Sequence, residues 1–138
     1  MKLNIGCGKK FEPEYCNIDL YNDLVADKTM SALSLEFGDF SCEEIKAIHV
    51  IEHLGLYESI YALSEFFRVL ERNGKIIIET PNMEETFQAY LNSDFETKKH
   101  VLSWIYGLLH RGLLHKFGFP SQLLKEILEK LDFFKLIF

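Results

Sequence analysis

The stretch KLNIGCG at residues 2–8 predicts a short buried strand that is followed at once by a tight turn. Leu3 and Ile5 are its apolar strand positions, and Gly6 and Gly8 flank Cys7. Because glycine has no Cβ, the backbone at these two positions can adopt positive φ and can approach a ligand closely. A glycine turn directly after the first strand is a feature of nucleotide-binding α/β sheets.

A second strand is predicted at residues 16–20 and carries an acid, Asp19, near its end. In a nucleotide-binding sheet, an acid at the end of the second strand accepts hydrogen bonds from ribose hydroxyl groups. A glycine turn and an unrelated surface aspartate would produce the same two patterns. The interpretation therefore depends on the sequence blocks that follow.

Composition indicates one domain without affinity for nucleic acid. The chain has 138 residues, of which 48% are hydrophobic, and a net charge of -6. A chain of this length buries one core, so we predict a single domain over residues 1–138. The acidic balance and the lack of a dense Lys/Arg cluster disfavour nucleic acid as a partner.

Cysteine usage and the absence of targeting signals indicate the compartment. Cys7, Cys16 and Cys42 are odd in number and scattered, which suits reduced thiols better than a disulfide framework. The sequence shows no signal peptide, no lipidation motif and no apolar run of about 18 residues. We therefore predict a cytoplasmic protein that does not bind membranes.

The middle of the chain follows a strand, helix, strand order. Residues 44–50 alternate and then become apolar, as in a strand that enters the centre of a sheet. Apolar residues at helical spacing over 56–70 predict a helix that ends at Asn73-Gly74. The β-branched run at 75–80 predicts a strand that Pro81 stops. This order implies a right-handed crossover and parallel pairing.

The remainder of the chain is predicted to be mostly helical. Helices are expected over 83–91, 98–109 and 121–131, with Pro120 at the start of the last one. The final run, 133–138, predicts a strand at the edge of the sheet. An open strand edge pairs readily with a second copy, so we predict self-association through this strand, most simply as a homodimer, or else aggregation.

The first crossover is unusually short. About ten residues separate the first two predicted strands, fewer than a crossover helix with its loops requires. We therefore predict that the first helix is reduced to a loop or a single turn. A long helix dipole is then missing at this point, so a ligand without a pyrophosphate fits better than a dinucleotide.

Taken together, these blocks resemble the class I S-adenosylmethionine-dependent methyltransferases, in particular small ones with a shortened first helix. The resemblance covers residues 2–82 and, more faintly, 115–134. It is carried by LNIGCG at 3–8, NID at 17–19, VAD at 25–27, HVIEHL at 49–54, FRVL at 67–70, NG at 73–74 and IETPN at 78–82.

This resemblance implies a Rossmann-like three-layer α/β sandwich with a mostly parallel sheet and a shortened first helix. It also implies a short third strand at 24–26. The family's sheet ends with two further strands, of which this chain has room for one, so an incomplete C-terminal sheet edge is expected. Asn4 and Lys10 depart from the family pattern, which has an acid and a glycine at these positions.

The resemblance also implies a role for each matching residue. The backbone at 6–8 would face the methionine part of the cofactor S-adenosylmethionine, and Asp19 would hold the ribose hydroxyls. Asp27 would meet the adenine amino group, with the backbone N–H of Lys28 beside the ring. His49 would line the methyl-transfer pocket and act as the catalytic residue that removes the acceptor proton. The implied cofactor-binding set is Asn4, Gly6, Cys7, Gly8, Asp19, Leu20, Asp27, Lys28, His49 and His53.

The letters HVIEH, from His49 to His53, also match H-x-x-E-H, a zinc-protease signature with two histidines on one helix. His49 stands at a predicted strand end, so the two histidines do not share a helix and we predict no metal site from this motif. Glu52 and His53 are then expected either to orient the loop and cap the next helix or to contact the pocket directly.

Further aromatic and histidine residues lie between the predicted helices near the C-terminus. Trp104 and Tyr106 are expected to lie in the core rather than to form a platform for the substrate. His110 and His115 belong to a glycine-containing segment that could fold over the cofactor as a lid.

Two functions agree with the resemblance. The first is an S-adenosylmethionine-dependent methyltransferase that acts on a small-molecule or glycan-like acceptor. The alternative is a catalytically degenerate cofactor-binding module, or a subunit of a larger assembly, without a complete acceptor pocket. No Asn-Pro-Pro-aromatic sequence follows the fourth strand, which disfavours methylation of amino groups on nucleic-acid bases.

Overall fold

The computed structural model describes residues 1–108 and 113–137, with the backbone alone for 132–137. Within them the chain forms β1 (Lys2–Ile5), β2 (Cys16–Asp19), β3 (Lys28–Thr29), β4 (Cys42–Ile48), a 3-10 helix (Ile51–His53), α1 (Leu56–Val69), β5 (Leu70–Glu79), α2 (Met83–Asn92), α3 (Phe95–Tyr106) and α4 (Ser121–Ile137).

The five strands form one sheet in the order β3-β2-β1-β4-β5, and every pairing is parallel. Ile5 of β1 pairs with Ile18 of β2 and with Ala47 of β4, so these three strands end at the same edge. The strand order reverses between β1 and β4, and ligands of open α/β sheets bind in the crevice at such a reversal. The predicted Rossmann-like α/β class is confirmed.

The connection between β1 and β2 contains no helix, as its length predicted. Turns replace it: Lys10 N donates to Cys7 O at 2.8 Å, and Cys7 N donates to Ile18 O at 3.0 Å. The second bond fastens the glycine turn to β2. The turn is therefore held by the neighbouring strand rather than by a crossover helix.

The core lies between the sheet and one face of α1. Ala62, Leu63 and Phe66 of α1 are fully buried at helical spacing, together with Ile45 in the middle of β4. Glu58 accepts a hydrogen bond from Gly55 N at 3.0 Å, which satisfies one free donor at the start of α1. α4 packs against α1 and extends the same core.

The predicted end of the first long helix was wrong. β5 begins at Leu70, so Asn73-Gly74 lies inside a strand rather than at a helix cap. The pairing of β5 with β4 shifts register between Cys42 and Glu44, which accommodates the additional residues of β5. A Cβ on Gly74 would lie 2.6 Å from Leu70 Cδ1, so close packing accounts for this glycine.

The third strand also lies later than predicted. It comprises Lys28–Thr29, whereas residues 24–26 lie outside any strand, so Asp27 precedes the strand instead of following it. Asp27 Oδ2 accepts a hydrogen bond from Asn17 N at 2.8 Å, and Asp27 N donates to Asn17 O at 2.8 Å. These contacts fix the chain at Asp27 and bring Lys28 into register with Ile18 of β2.

The predicted C-terminal strand was wrong as well. α4 continues to Ile137, so residues 133–137 are helical, and Phe138 lies outside the described residues. An apolar run directly after a formed helix can extend it, because propagation costs far less than nucleation. β5 is therefore an edge strand of the described sheet. The homodimer remains a prediction, but the strand on which it was based is not formed.

The helix predicted at 98–109 is α3, which begins where Asp94 accepts a hydrogen bond from Thr97 N at 2.8 Å. Leu109 and His110 lie outside the described residues. Trp104 and Tyr106 were wrongly expected in the core, since they are 42% and 64% exposed. Among the helices described, none has the length and apolar character needed to cross a bilayer.

Candidate active site

A cavity of about 450 Å³ opens at the carboxyl ends of β1, β2 and β4. We call it the glycine-turn cavity. It lies at the reversal of the strand order, where the fold predicts a ligand. Its lining residues are Ile5, Gly6, Gly8, Lys9, Asp19, Leu20, Tyr21, Asn22, Met30, Ala32, His49, Val50, His53 and Leu113.

Both glycines of the turn adopt the left-handed conformation that their sequence pattern predicted. φ is +67° at Gly6 and +54° at Gly8. A Cβ on Gly6 would lie 2.6 Å from Val50 Cγ2, so Gly6 permits close packing of the loop after β4. A Cβ on Gly8 would meet no atom within 4 Å, so Gly8 leaves its surroundings open.

Asp19 organises the loops that surround this cavity. Its Oδ2 accepts from Gly8 N at 2.8 Å, and its Oδ1 accepts from Tyr21 N at 2.8 Å and Asn22 N at 2.9 Å. Asn22 Nδ2 donates in turn to Gly8 O at 2.7 Å. A carboxylate has about four acceptor positions, so about one position on Oδ2 remains for a ligand hydroxyl.

Two of the predicted cofactor-binding residues, Asn4 and Asp27, form hydrogen bonds with Asn17 and do not line the cavity. Asn4 is buried, and its Nδ2 donates to Asn17 Oδ1 at 2.9 Å and to Lys10 O at 3.1 Å. Asn17 Nδ2 donates to Asp27 Oδ2 at 3.0 Å. Hydrogen bonds from the backbone and side chain of Asn17 hold the pKa of Asp27 below its usual value. This network positions the loop between β1 and β2.

Cys7 and Lys28 also lie away from the cavity lining. Burial raises the pKa of the Cys7 thiol, and the charges of Asp19 and Asp27 add to this effect. Cys7 therefore acts as a small packed side chain rather than as a thiolate. Lys28 Nζ lies 5.2 Å from the centre of the Phe37 ring. The structure thus gathers only part of the predicted set around the cavity, namely Gly6, Gly8, Asp19, Leu20, His49 and His53.

A second cavity, of about 490 Å³, lies between the end of β5 and the helices α2 and α3. We call it the α2–α3 cavity. Asn82 Oδ1 accepts from Glu85 N at 3.1 Å, which starts α2 beside it. Its lining residues are His49, Pro81, Asn82, Glu85, Thr86, Ala89, Ser103, Trp104 and His115.

His49 lines both cavities. Its φ of +54° is a strained conformation for a residue with a Cβ, and such strain concentrates at functional sites. His49 N donates to Glu79 O at 2.9 Å, which fixes its backbone to the end of β5. His49 Nδ1 is hydrogen bonded to Glu52 Oε1 at 2.9 Å, and Nε2 lies 3.4 Å from Glu79 Oε1.

A segment near the C-terminus contributes one described residue to the lining of each cavity, Leu113 to the glycine-turn cavity and His115 to the α2–α3 cavity. We call residues 113–119 the strap. Glu52 O accepts from Lys116 N at 2.7 Å and from Phe117 N at 3.3 Å, and Phe119 is buried in the core. The lid predicted around His115 therefore corresponds to a segment fastened to the 3-10 helix, with His115 beside the α2–α3 cavity.

Sequence reasoning missed several lining residues. Val50 and Asn22 shape the glycine turn, and Trp104 lines the α2–α3 cavity. Val50 belongs to the HVIEHL block at 49–54, so the resemblance already pointed to the loop that contains the strained His49. Trp104 carried no local signal, because its position depends on how α3 packs against α2.

Comparisons with known proteins agree with this architecture. No protein-family model matches the chain, and no curated protein matches its sequence. A solved S-adenosylmethionine-dependent methyltransferase from Archaeoglobus fulgidus superposes with a TM-score of 0.66 at 21% identity, covering 94% of this chain and 59% of the other. A second, from Thermotoga maritima and described as a possible histamine N-methyltransferase, gives 0.65 at 15% identity, covering 94% and 62%.

The chain thus spans about three fifths of the length of these two structures. At such low identity the likeness concerns the arrangement of the backbone. The glycine turn directly follows β1 and the acid Asp19 ends β2, as the resemblance predicted. The chain has the fold of the class I S-adenosylmethionine-dependent methyltransferases.

Proposed function

We propose that this chain transfers a methyl group from S-adenosylmethionine to a small-molecule or glycan-like acceptor. One observation carries the proposal: His49, strained and hydrogen bonded to a buried carboxylate, lines both cavities. A group-transfer enzyme needs its two reactants side by side, because holding them in reacting geometry supplies much of the rate. The two cavities meet at this residue.

The glycine-turn cavity fits the cofactor. Its volume of about 450 Å³ lies within the usual range of small-molecule sites. The open surroundings of Gly8 leave room for close approach to the backbone, and Asp19 has about one acceptor position left for a ribose hydroxyl. Apolar side chains such as Met30 and Ala32 face the same space. Asp27 contacts Asn17, so its adenine contact remains a separate prediction.

When bound, S-adenosylmethionine supplies a methyl group that an acceptor nucleophile takes while the sulfur keeps the bonding electrons. The residues around His49 are suited to handle the proton that the acceptor loses. A carboxylate only accepts hydrogen bonds, so Glu52 places the hydrogen of His49 on Nδ1 and leaves the Nε2 lone pair to receive that proton. Glu79, 3.4 Å from Nε2, would then stabilise the positive ring.

The lining of the α2–α3 cavity favours a neutral or cationic acceptor. It includes one carboxylate, Glu85, and contains neither lysine nor arginine among the described residues. Trp104 offers an aromatic face on which a ring or a sugar can stack. Asn82, Thr86 and Ser103 provide hydrogen-bonding groups that can orient acceptor hydroxyls. The degenerate binding module would lack a complete acceptor pocket, so the presence of this cavity does not favour that alternative.

The proposal is tested by release of S-adenosylhomocysteine from purified protein incubated with S-adenosylmethionine and pools of small amines, phenols and sugars. One pool should give release above the rate without acceptor. His49→Ala should lose it while still binding the cofactor, and Tyr57→Ala, which removes an exposed side chain outside both cavity linings, should keep it. If the protein binds the cofactor but no pool gives turnover, the result would instead support the degenerate module.

A further inference from the structure

We propose that Glu52, His53 and His115 form a binding site for one divalent transition-metal ion, of which Zn²⁺ is the best match. One ligand atom from each side chain lies within 4.8 Å of the other two. This set differs from the sequence motif that suggested zinc, because His115 from the strap takes the place of His49.

The hydrogen bonds of the two histidines leave a free lone pair on each ring. His53 Nδ1 is hydrogen bonded to Leu114 O at 3.2 Å, and His115 Nδ1 to Trp104 O at 2.9 Å. Carbonyl oxygens only accept, so each Nδ1 carries the hydrogen and each Nε2 keeps its lone pair. A backbone carbonyl that holds the second ring nitrogen in this way is the usual support for a metal-binding histidine.

The carboxylate of Glu52 supplies the independent observation. The side chain is 1% exposed, and its Oε2 has no hydrogen-bond partner among the described residues, while Oε1 accepts from His49. A buried carboxylate oxygen without a partner costs free energy, because it has lost water and gained nothing in return. A cation held between Oε2 and the two imidazoles would remove this cost.

The fold holds these ligands in place before any ion arrives. Two of them lie on the 3-10 helix, and Glu52 O binds the strap through Lys116 N and Phe117 N. His115 N donates to Tyr106 O at 3.0 Å, which fixes the third ligand against the end of α3. A Cβ on Gly107 would lie 2.1 Å from Leu113 O, so this close approach requires glycine.

The donor set identifies the class of ion. Two imidazoles and one carboxylate bind Zn²⁺ in sites that keep a fourth position for water or substrate. Mg²⁺ and Ca²⁺ prefer oxygen ligands and would be bound less well by two imidazoles. His53 lines the glycine-turn cavity and His115 lines the α2–α3 cavity, so the ion would lie beside both.

The test is a Zn²⁺ titration of chelator-treated, tag-free protein by calorimetry, in the absence of any nucleoside. We expect one ion per chain. His115→Ala and Glu52→Gln should each weaken binding by at least about tenfold, the lower end of what even supporting residues contribute to metal affinity. Co²⁺ should give a visible spectrum typical of nitrogen and oxygen ligands without thiolate charge-transfer bands. His100→Ala is the matched control and should bind Zn²⁺ like the parent.

Circular dichroism and thermal unfolding establish that each variant is folded, and because His115 is partly exposed whereas Glu52 is buried, His115→Ala is the safer of the two. The proposal is overturned if the folded parent takes up no Zn²⁺, if His115→Ala binds as tightly as the parent, or if His100→Ala is weakened equally. None of these readings requires methyl transfer. The metal site and the proposed activity can therefore fail independently.

Discussion

His49 and Glu52 are joined by a 2.9 Å hydrogen bond between Nδ1 and Oε1, in which the imidazole is 51% exposed and the carboxylate 1%. The exposed partner faces two cavities, and the buried partner fixes its orientation. Glu52 therefore acts as a positioning residue for His49. The backbone strain at His49 agrees with a geometry that the surrounding contacts impose.

The first prediction concerns this pair. Glu52→Gln keeps an oxygen that can accept from Nδ1 but removes the charge that stabilises a protonated ring. We expect kcat for methyl transfer to fall at least about tenfold, while the cofactor Kd stays within about twofold. Steady-state kinetics and calorimetry separate the two effects. An unchanged kcat in folded Glu52→Gln protein would show that the pair has no part in catalysis.

The second prediction distinguishes the two glycines of the turn. Gly8→Ala places a methyl group in open space at positive φ, so we expect a loss of about 1–2 kcal/mol in stability and weaker cofactor binding. Gly6→Ala adds a clash with Val50 and should be less stable still. Gly38→Ala, which meets no atom within 4 Å, is the control. Chemical denaturation and calorimetry provide both quantities. Undiminished cofactor affinity in Gly8→Ala would place the ligand elsewhere.

The third prediction assigns the α2–α3 cavity to the acceptor. Trp104→Ala removes the aromatic face of this cavity, so the KM for the acceptor should rise several-fold while the Kd for S-adenosylmethionine is unchanged. Tyr57→Ala, an exposed aromatic on α1 outside this lining, should alter neither value. The measurement is initial-rate kinetics with the acceptor found in the pool screen. A Trp104→Ala variant with the parent's KM would exclude this cavity as the acceptor site.

The fourth prediction concerns acid stability. Hydrogen bonds from Arg68, together with one from Leu35 N, hold the pKa of Glu65 below its ordinary value of 4.5. A lowered pKa in the folded state stabilises the fold above the unfolded pKa, and this contribution is lost as the pH falls through the folded pKa. Glu65→Gln should therefore cost about 1–3 kcal/mol at neutral pH and flatten the fall in stability below pH 4.5.

Urea denaturation at a series of pH values measures this effect. Glu36→Gln, which changes an exposed acid, serves as the control and should reproduce the parent's pH dependence. If Glu65→Gln loses stability with acid as steeply as the parent does, the ion pair with Arg68 does not contribute in the way the geometry indicates.

Local sequence patterns were sufficient for the centre of the sheet. Apolar runs located β1, β2 and β4, and parallel pairing of these strands brings Gly6, Asp19 and His49 to one edge. The errors arose where local patterns are ambiguous. The run at 133–137 suits a strand or a helix equally, and α4 resolves the choice by continuing through it.

The rest of the site depends on contacts between distant residues, which one sequence does not reveal. The resemblance assigned Asp27 to the adenine, which remains a prediction, but no sequence pattern indicated that its carboxylate accepts hydrogen bonds from Asn17. The approach of His115 to Glu52 spans more than sixty positions in the sequence and depends on the strap. Neither contact leaves a periodic pattern.

The most direct test of the central claim is calorimetric titration of the parent protein with S-adenosylmethionine. The account predicts one site per chain. It also predicts that Asp19→Ala loses about 1.5–3 kcal/mol of binding free energy, since this carboxylate both shapes the turn and keeps an acceptor position for the ribose. Asp23→Ala, an exposed acid four residues later, should bind like the parent. No heat of binding at millimolar ligand with folded parent protein, or equal affinity in Asp19→Ala, would contradict the account.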